Sequence, residues 1–405
     1  MSNTPDALPT SDLSTFREML NTPNTPFDMS RLIQKTTAVM NIVKNFVLSI
    51  RSDSSGCGHI RNVFPLSYLN AVYSKQNVFD VIQSPVLLFQ HEVLARTKAI
   101  FFQRTMDPGL VPAVAEYKRL QSQLKFKMVY DIDDFIWNGL DEGESIPEYN
   151  FGRESITPAV VQANIETMKM MDVICVSTKF LGEYIVEKFG ISKDKIKVIH
   201  NSIPQYFWGT GKKKPIKAAL TKPKIVWTAS PTHWHDAKRL KGDLDNAWYE
   251  WIRSNVLSGK IDFIQMGGLP WFFEDIADKI TVVPWVNSYQ YHTVVKSLKA
   301  DFSIGPLVPN YFNYSKSCIK YQEACASGSV FIGTTFANGK DSPYDVCKAS
   351  LSNTATVADI DALFETLKQP ESYNKVVAAQ YAQMESEGWW QESKEYVNLL
   401  MSAFN

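Results

Sequence analysis

Short apolar segments alternate with longer amphipathic segments along this chain, and this alternation constrains the fold more than any other feature. In the first half, the strand-like apolar segments are 45–50, 99–103, 127–132, 172–177 and 196–201. The helix-like segments between them are 66–73, 110–124, 158–171 and 178–189. Apolar strands separated by helices are typical of a parallel sheet with helices on both faces.

The alternation restarts in the second half. Its strand-like segments are 224–230, 261–267, 280–286, 301–305 and 329–334. Its helix-like segments are 236–257, 288–299 and 316–328, followed by 371–387 and 389–403. The chain is therefore predicted to be an α/β protein with two Rossmann-like, doubly wound parallel-sheet domains. Such sheets bind ligands beyond the carboxyl ends of their strands, so we expect the two domains to face a cleft.

The range 204–223 separates the two halves. It has three prolines, two glycines, five lysines and no acidic residue, which is typical of an interdomain linker. Its lysines fit either a solvated hinge or a contact with phosphate. The predicted organisation is an N-terminal arm at 1–28, a first domain at 29–203, the linker at 204–223, a second domain at 224–370 and C-terminal helices at 371–405.

Composition narrows the class of protein. Lysine plus arginine balance aspartate plus glutamate at 42 each, so net charge gives no overall attraction to nucleic acid or anionic membranes. The five cysteines include no C-x-x-C pair, which argues against a disulfide framework or a zinc site. The N-terminus lacks an apolar core and no apolar run reaches about 18 residues, so neither a signal peptide nor a membrane span is predicted. We expect a cytoplasmic protein.

A glycine-containing turn follows the first predicted strand. Gly56 and Gly58 would let the backbone turn sharply and expose N–H groups to an anion, and His59 and Arg61 add polar and cationic groups. The spacing is not that of a dinucleotide-binding motif, and an ordinary strand-to-helix turn is the alternative.

Clustered carboxylates end the strand at 127–132. Asp133 and Asp134 follow an apolar run, where repulsion and desolvation make adjacent carboxylates costly. Such local conflicts concentrate at functional sites. These residues could hold sugar hydroxyls or a metal, although no further ligand cluster favours a metal. A capping or turn role is the alternative.

A third polar segment, SPTHWHD at 230–236, follows the first strand of the second half. Ser230 and His233 can donate hydrogen bonds to phosphate or sugar, and Asp236 is predicted to be a helix N-cap. The H-x-H pair has no third metal ligand of matching spacing nearby.

The fourth segment is the helix predicted at 316–328. Lys316, Lys320 and Glu323 fall on one helix face, and Ser315 and Ser317 lie at its start. Gly328 ends the helix. This charged face is either solvated or directed at a bound anion.

Taken together, the order of these motifs resembles the GT-B glycosyltransferases, in particular the large retaining group called family 4 or group 1, in a form seen in bacterial and phage enzymes. The motifs are the glycine turn with Arg61, FFQR (101–104), MVYDIDDFIW (128–137), SPTHWHD (230–236), VVPWV (282–286) and the block at 305–334. In this family, a glutamate near the carboxyl end binds the donor ribose, and Glu323 occupies that place. Ser315 stands where many members have a second glutamate, and Asp133 where they have a histidine.

The resemblance implies a nucleotide-sugar donor, in particular a UDP-sugar, bound to the second domain and a hydroxyl acceptor bound to the first. It also implies retention of configuration, C-terminal helices that cross back to the first domain, and no metal requirement. The catalytic residues expected on this basis are Asp133, Asp134, His59 and Lys320. The donor-binding residues expected are Glu323, Lys316, Ser315, Ser317, Ser230, His233, Asp236, Trp285, Val286, Gly56, Gly58 and Arg61.

The acceptor is left open by the sequence. One alternative is a hydroxymethylated base in phage DNA, for which basic residues cluster near predicted strand ends of the first half: Arg51, Arg61, Arg96, Lys98 and Arg104. A polysaccharide or a glycolipid is the second. An alternative for the function as a whole is a catalytically inactive nucleotide-sugar-binding protein on the same fold. The absence of a glutamate at position 315, where this chain has Ser315, favours that alternative.

Overall fold

In the computed structural model, the residues that can be described are 46–51, 56–73, 80–82, 91–104, 107–137, 157–209, 215–238 and 247–404. The predicted N-terminal arm at 1–28 lies outside the described residues, as does the part of the predicted first domain that precedes residue 46.

A six-stranded parallel sheet occupies the first half. Its strands are β1 (Phe46–Ile50), β2 (Asp80–Ile82), β3 (Thr97–Gln103), β4 (Lys127–Ile132), β5 (Val173–Val176) and β6 (Ile196–Val198), in the spatial order β2-β1-β3-β4-β5-β6. A helical segment begins at Gly56–Gly58, continues as a π-helical turn at His59–Val63 and ends as α1 (Phe64–Tyr73). The other helices are α2 (His91–Leu94), α3 (Val111–Leu124), α4 (Pro158–Met170), α5 (Lys179–Phe189) and α6 (Gln205–Trp208).

A second six-stranded parallel sheet occupies the second half. Its strands are β7 (Lys224–Thr228), β8 (Asp262–Met266), β9 (Thr281–Val283), β10 (Phe302–Gly305), β11 (Val330–Thr335) and β12 (Ser350–Ser352), in the order β12-β11-β10-β7-β8-β9. Its helices are α7 (Pro231–Ala237), α8 (Ala247–Leu257), α9 (Ser288–Leu298), α10 (Tyr311–Tyr314), α11 (Ile319–Ser327), α12 (Val357–Leu367), α13 (Pro370–Ser386) and α14 (Lys394–Phe404). The two parallel sheets confirm the predicted fold class.

The sequence prediction differs from the structure in a few elements. The helix predicted at 236–257 is two helices, α7 and α8, because Lys238 leaves α7 in an extended conformation with φ −148° and ψ 128°. Strands β2 and β12 are only three residues long, too short for a clear pattern. Helix α12 was also missed, although its N-terminus has a capping box in which Thr356 and Asp359 bond reciprocally.

The last helix packs on the first sheet rather than the second. Tyr396, Val397, Leu400 and Phe404 of α14 share a buried core cluster with residues of β1, β3 and α1. Lys197 of β6 adds a hydrogen bond of 2.7 Å to the Ser402 carbonyl. The chain therefore leaves the first sheet after β6, builds the second sheet and returns to complete the first core.

The two sheets belong to one unit, residues 45–405, and the segment 311–317 joins them. The Tyr311 ring stacks on Phe135 with centroids 5.5 Å apart, and the Thr178 hydroxyl donates to the Ser315 carbonyl at 3.2 Å. Asn201 Nδ2 donates to the Ser317 hydroxyl at 2.9 Å. Because this segment lies between β10 and α11, it fixes the start of α11 against the first sheet.

Candidate active site

The carboxyl end of β4 carries the carboxylates that the sequence indicated. Asp134 Oδ1 accepts a hydrogen bond from Lys316 Nζ at 2.6 Å, and Oδ2 accepts from the Arg104 guanidinium at 2.9 Å. The Cys57 thiol donates to the same Oδ2 at 3.3 Å. Burial disfavours the charged carboxylate, but Lys316 and Arg104 outweigh burial, so the pKa of Asp134 lies below its usual range. Asp134 is therefore ionised, and Lys316 joins it from the second half of the chain.

Asp133 has the opposite environment. Its side chain is 5% exposed, and within the described residues Oδ1 has no hydrogen-bond partner. Burial, with repulsion from Asp134, raises the pKa of Asp133 to about 6. The two adjacent carboxyl groups therefore differ in pKa. Asp134 is held as the anion, whereas Asp133 has a raised pKa of about 6. Such a split is a frequent property of acid–base sites.

The ligand atoms of Cys57, Asp133 and Asp134 lie within 4.8 Å of one another, which is compatible with metal binding. Two observations oppose that use. Both oxygens of Asp134 are already paired with Lys316 and Arg104. Burial, with Asp133 and Asp134, raises the pKa of the Cys57 thiol well above its usual value, which opposes the thiolate that a metal requires. These residues do not fit a metal, and the expected metal independence stays a prediction.

The charged residues of α11 meet the carboxyl end of β7. Lys320 Nζ donates to the Thr228 carbonyl and, at 3.2 Å, to Thr228 Oγ1. Glu323 Oε2 accepts from the Tyr291 hydroxyl of α9 at 2.9 Å. Burial lowers the pKa of Lys320 and raises the pKa of Glu323. Both residues therefore face protein groups at the sheet edge rather than lying on a solvated helix face.

His233 lies close to the two lysines. Its Nδ1 is 2.8 Å from Asp236 Oδ2, and the lysine charges at 316 and 320 act with burial to lower the pKa of the imidazole. At neutral pH the ring is uncharged. Because Nδ1 donates its proton to the Asp236 carboxylate, Nε2 of the neutral ring carries the lone pair and can accept a hydrogen bond.

Asp236 is not the N-cap that the sequence predicted. Ser230 occupies the N-cap position of α7, without a side-chain cap bond, and its hydroxyl lies 2.6 Å from that of Thr232. Asp236 is fully buried, and its Oδ1 accepts from the Val308 N–H at 3.1 Å and from Asn313 Nδ2 at 2.6 Å. It orients His233 and holds the loop after β10.

The structure differs from the prediction at the glycine turn. Gly58 is helical, with φ −58° and ψ −36°, so its backbone does not need the conformational freedom of glycine, and a Cβ at Gly56 would meet nothing within 4 Å. Arg61 is buried and forms a bidentate ion pair with Asp131, with Nε 3.1 Å from Oδ2. The same guanidinium donates to Asn201 and to the Ile199 carbonyl. Its donors serve the interior of the first half, so Arg61 is not an exposed anion-binding group.

His59 is buried against aromatic rings from both halves of the chain. Its ring centroid lies 5.2 Å from that of Phe64 and 5.1 Å from that of Tyr289 on α9. The imidazole thus packs where α9 meets the π-helical turn, and aromatic packing accounts for its position.

Two serines expected to bind the donor are held by protein groups. The Ser315 hydroxyl is fully buried and donates to the Phe312 carbonyl at 2.7 Å. Ser317 accepts the bond from Asn201 already described, and α11 begins only at Ile319. Both serines stabilise the segment 311–317, which accounts for their positions.

Residues beyond β9 have mixed exposure. Trp285 is 59% exposed, and Val286 is half-buried against the core beneath α11. The exposed indole is available to stack on a planar ligand, whereas Val286 contributes packing.

Sequence reasoning missed three side chains of this site. Cys57, Thr228 and Tyr291 contact Asp134, Lys320 and Glu323, respectively. A phenol within an amphipathic helix gives no local signal of a contact with Glu323, 32 residues later. Thr228 carried a weak signal, because it ends the first strand of the second half.

This chain resembles known proteins in structure but not in sequence. No protein-family model and no curated protein sequence matches this chain. A glycosyltransferase from Rickettsia africae has a similar structure, with a TM-score of 0.57, 11% identity, and coverage of 90% of this chain and 98% of that one. HepE of Anabaena in complex with UDP-glucose gives a TM-score of 0.53 at 9% identity, covering 88% and 99%. A UDP-forming α,α-trehalose-phosphate synthase from Burkholderia xenovorans gives 0.50 at 11%, covering 90% and 99%.

These likenesses establish the fold at identities too low to carry activity across. The chain has the GT-B fold, as the sequence motifs implied. Among the described residues, no helix is long and apolar enough to span a membrane.

Proposed function

We propose that this protein is a glycosyltransferase that moves a sugar from a UDP-linked donor to a hydroxyl acceptor with retention of configuration. The observation that carries the proposal is the contact between Lys316 and Asp134 at 2.6 Å. It brings the carboxylates that follow β4 beside the lysine that precedes α11. Lysines for a diphosphate and carboxylates for a sugar and its acceptor thus adjoin in a GT-B fold.

The donor would bind along the carboxyl edge of the second sheet. Glu323 is expected to accept hydrogen bonds from the ribose hydroxyls, and Lys316 and Lys320 are expected to contact the diphosphate. His233 is expected to accept a hydrogen bond from a hydroxyl of the donor sugar through Nε2. The exposed Trp285 is expected to stack on the base. HepE, of the same fold, has been crystallised with UDP-glucose, which supports a nucleotide-sugar donor for this chain.

The proposed reaction depends on electrostatics and positioning. As the bond from the sugar to the diphosphate breaks, negative charge grows on the leaving phosphate and positive charge on the sugar ring. Lys316 and Lys320 stabilise the former, and Asp133 with Asp134 stabilise the latter and orient the acceptor. Retention follows if the departing phosphate takes the acceptor proton on the same face of the sugar.

The acceptor is proposed only as a hydroxyl compound. A DNA base needs a basic groove for the flanking phosphates. Two of the five basic residues predicted near strand ends form ion pairs within the protein. Arg61 pairs with Asp131, and Arg104 pairs with Asp134. A glycan or glycolipid hydroxyl makes no such demand, and we favour that class.

The test is UDP release from a panel of UDP-sugars, with and without glycan, glycolipid and hydroxymethylated-DNA acceptors, and with EDTA in a parallel arm. We expect slow donor hydrolysis, faster release with one acceptor class, and no loss in EDTA. Glu323→Ala should weaken UDP binding about 10-fold or more, since a hydrogen bond to a charged group contributes about 1.5–3 kcal/mol. NMR of the product would check retention.

If UDP-sugars bind by calorimetry but no UDP is ever released, the protein is an inactive nucleotide-sugar-binding protein. Two observations favour that second candidate: Ser315 replaces a family glutamate, and its hydroxyl is bonded to the Phe312 carbonyl. Unchanged UDP affinity in Glu323→Ala would contradict the donor site itself.

A further inference from the structure

Two side-chain contacts hold the charged residues of α11. Lys320 Nζ lies 3.2 Å from Thr228 Oγ1, and the Tyr291 hydroxyl lies 2.9 Å from Glu323 Oε2. The four residues come from the end of β7, from α9 and from α11.

The direction of each contact is fixed by its charged end. An ammonium group can only donate and an ionised carboxylate can only accept. Thr228 Oγ1 therefore accepts from Lys320, and the Tyr291 hydroxyl gives its one proton to Glu323. The Tyr291 hydroxyl thus has one defined orientation.

Glu323 makes no other hydrogen bond within the described residues, so Tyr291 alone fixes the plane of its carboxylate. Oε1 is then left as an acceptor. A carboxylate on a flexible side chain loses rotamer freedom when it binds a ligand, and a bond that already fixes it reduces that loss.

We infer that Tyr291 is a positioning residue for nucleotide binding: it holds Glu323 oriented to accept hydrogen bonds from the ribose hydroxyls. This inference rests on the proposed function. Tyr291 itself need not contact the ligand, and its effect passes through Glu323. It follows that Tyr291 matters only for ligands that carry those hydroxyls.

The test compares UDP with 2′,3′-dideoxy-UDP by calorimetry on four variants: Tyr291→Phe, Glu323→Gln, the double variant, and Tyr373→Phe. Tyr373 is a matched control, because it is a buried tyrosine of the second half whose hydroxyl donates to the Asp301 carbonyl at 3.0 Å. Tyr373→Phe removes an equivalent bond away from α11.

We expect Tyr291→Phe to weaken UDP binding about 5- to 10-fold and to leave dideoxy-UDP binding within 2-fold. Tyr373→Phe should change neither. The double variant should bind UDP no more weakly than Glu323→Gln, because residues that act through one another are not additive. The acid limb of UDP binding should also move to higher pH in Tyr291→Phe, since the lost bond lowers the pKa of Glu323.

Equal losses for both nucleotides, or additive losses in the double variant, would overturn the inference. So would a full preference for UDP over dideoxy-UDP in Tyr291→Phe. If the wild-type protein binds neither nucleotide, the proposed function fails first, which is a separate outcome.

Discussion

Lys316 Nζ lies 2.6 Å from Asp134 Oδ1, and this ion pair joins charged groups that follow strands of different sheets. Both side chains are less than one-fifth exposed, at 19% and 16%, so solvent screens the pair only in part. The Lys316 ammonium also lies 3.9 Å from the centre of the Phe312 ring. On the proposed function, Asp134 and the donor's diphosphate would compete for this one cation.

Asp134→Asn should strengthen UDP binding about 3- to 10-fold, because Lys316 no longer has to leave a carboxylate to meet a phosphate. Lys316→Ala should weaken it. Calorimetry measures both. Asp172→Asn is the control, since Asp172 forms a comparable first-half pair with Lys118 at 2.7 Å, and it should leave UDP affinity unchanged. Weaker UDP binding in Asp134→Asn would mean that the pair organises the site rather than competing with the ligand.

Lys320→Ala should lower turnover more than donor affinity. Charge grows on the diphosphate as the glycosidic bond breaks, so the ammonium contributes more in the transition state than in the ground state. Steady-state kinetics should give kcat reduced about 100-fold with KM changed far less. Lys296→Ala is the control, because Lys296 also donates to backbone carbonyls, those of Phe207 and Trp208, but lies on α9. Wild-type kcat in Lys320→Ala would exclude the catalytic role.

The ionisation of Asp133 should make kcat fall at acid pH. If the ionised carboxylate is the active form, kcat rises with pH through about 6, the pKa that burial and Asp134 give Asp133. Asp133→Asn should lower kcat about 100-fold, abolish that fall and leave UDP affinity near normal. A pH–rate profile of both proteins checks this. If kcat of Asp133→Asn falls at acid pH in the same way, a group other than Asp133 causes that fall.

The raised pKa of Asp133 also predicts that the stability of the protein depends on pH. That pKa rises from 3.8 to about 6 on folding, so the native state binds the proton more tightly than the unfolded chain. The associated stabilisation is present below pH about 4 and is lost as pH rises through 6. Asp133→Asn should therefore raise the free energy of unfolding at pH 7.5, by up to about 3 kcal/mol, and by less at pH 5. Urea titrations at both pH values measure it.

Gly333→Ala should destabilise the second half of the chain. A Cβ at this position would lie 2.4 Å from the Cβ of Tyr344, and a Cβ at Gly305, its partner in β10, would lie 2.6 Å from Cε2 of the Tyr344 ring. Tyr344 is buried, so it cannot move without repacking. We expect a loss of about 1–3 kcal/mol in urea unfolding. Gly259→Ala is unsuitable as a control because its φ is positive, whereas Gly56→Ala meets nothing within 4 Å and should be neutral.

Elements and site residues whose signal lies within a few neighbouring residues could be predicted from the sequence. The apolar runs that became β3, β4 and β10 are continuous and flanked by polar turns, so the parallel sheets could be predicted from pattern alone. The carboxylates after β4 could be found for the same reason, because their conflict with an apolar strand is visible within six residues. The charged face of α11 was also visible from its spacing.

What could not be predicted was the partner of each charged group. Arg61 and Lys316 look alike in sequence as cations near a turn, yet Arg61 is buried on Asp131 and Lys316 joins the two halves through Asp134. Their partners lie 70 and 182 residues away, so only the tertiary arrangement separates a structural ion pair from a site residue. Tyr291 was missed for the same reason.

The return of α14 to the first sheet affects the order in which the protein can be completed during synthesis. Val397, Leu400 and Phe404 cover Val47, Leu66 and Phe101, which are made more than 290 residues earlier. The first half therefore emerges from the ribosome with part of its core uncovered, and it can finish folding only after residues 394–404 have been made. A recombinant fragment that stops near residue 203 should be prone to aggregation for that reason, and adding residues 394–404 as a separate peptide should rescue its solubility.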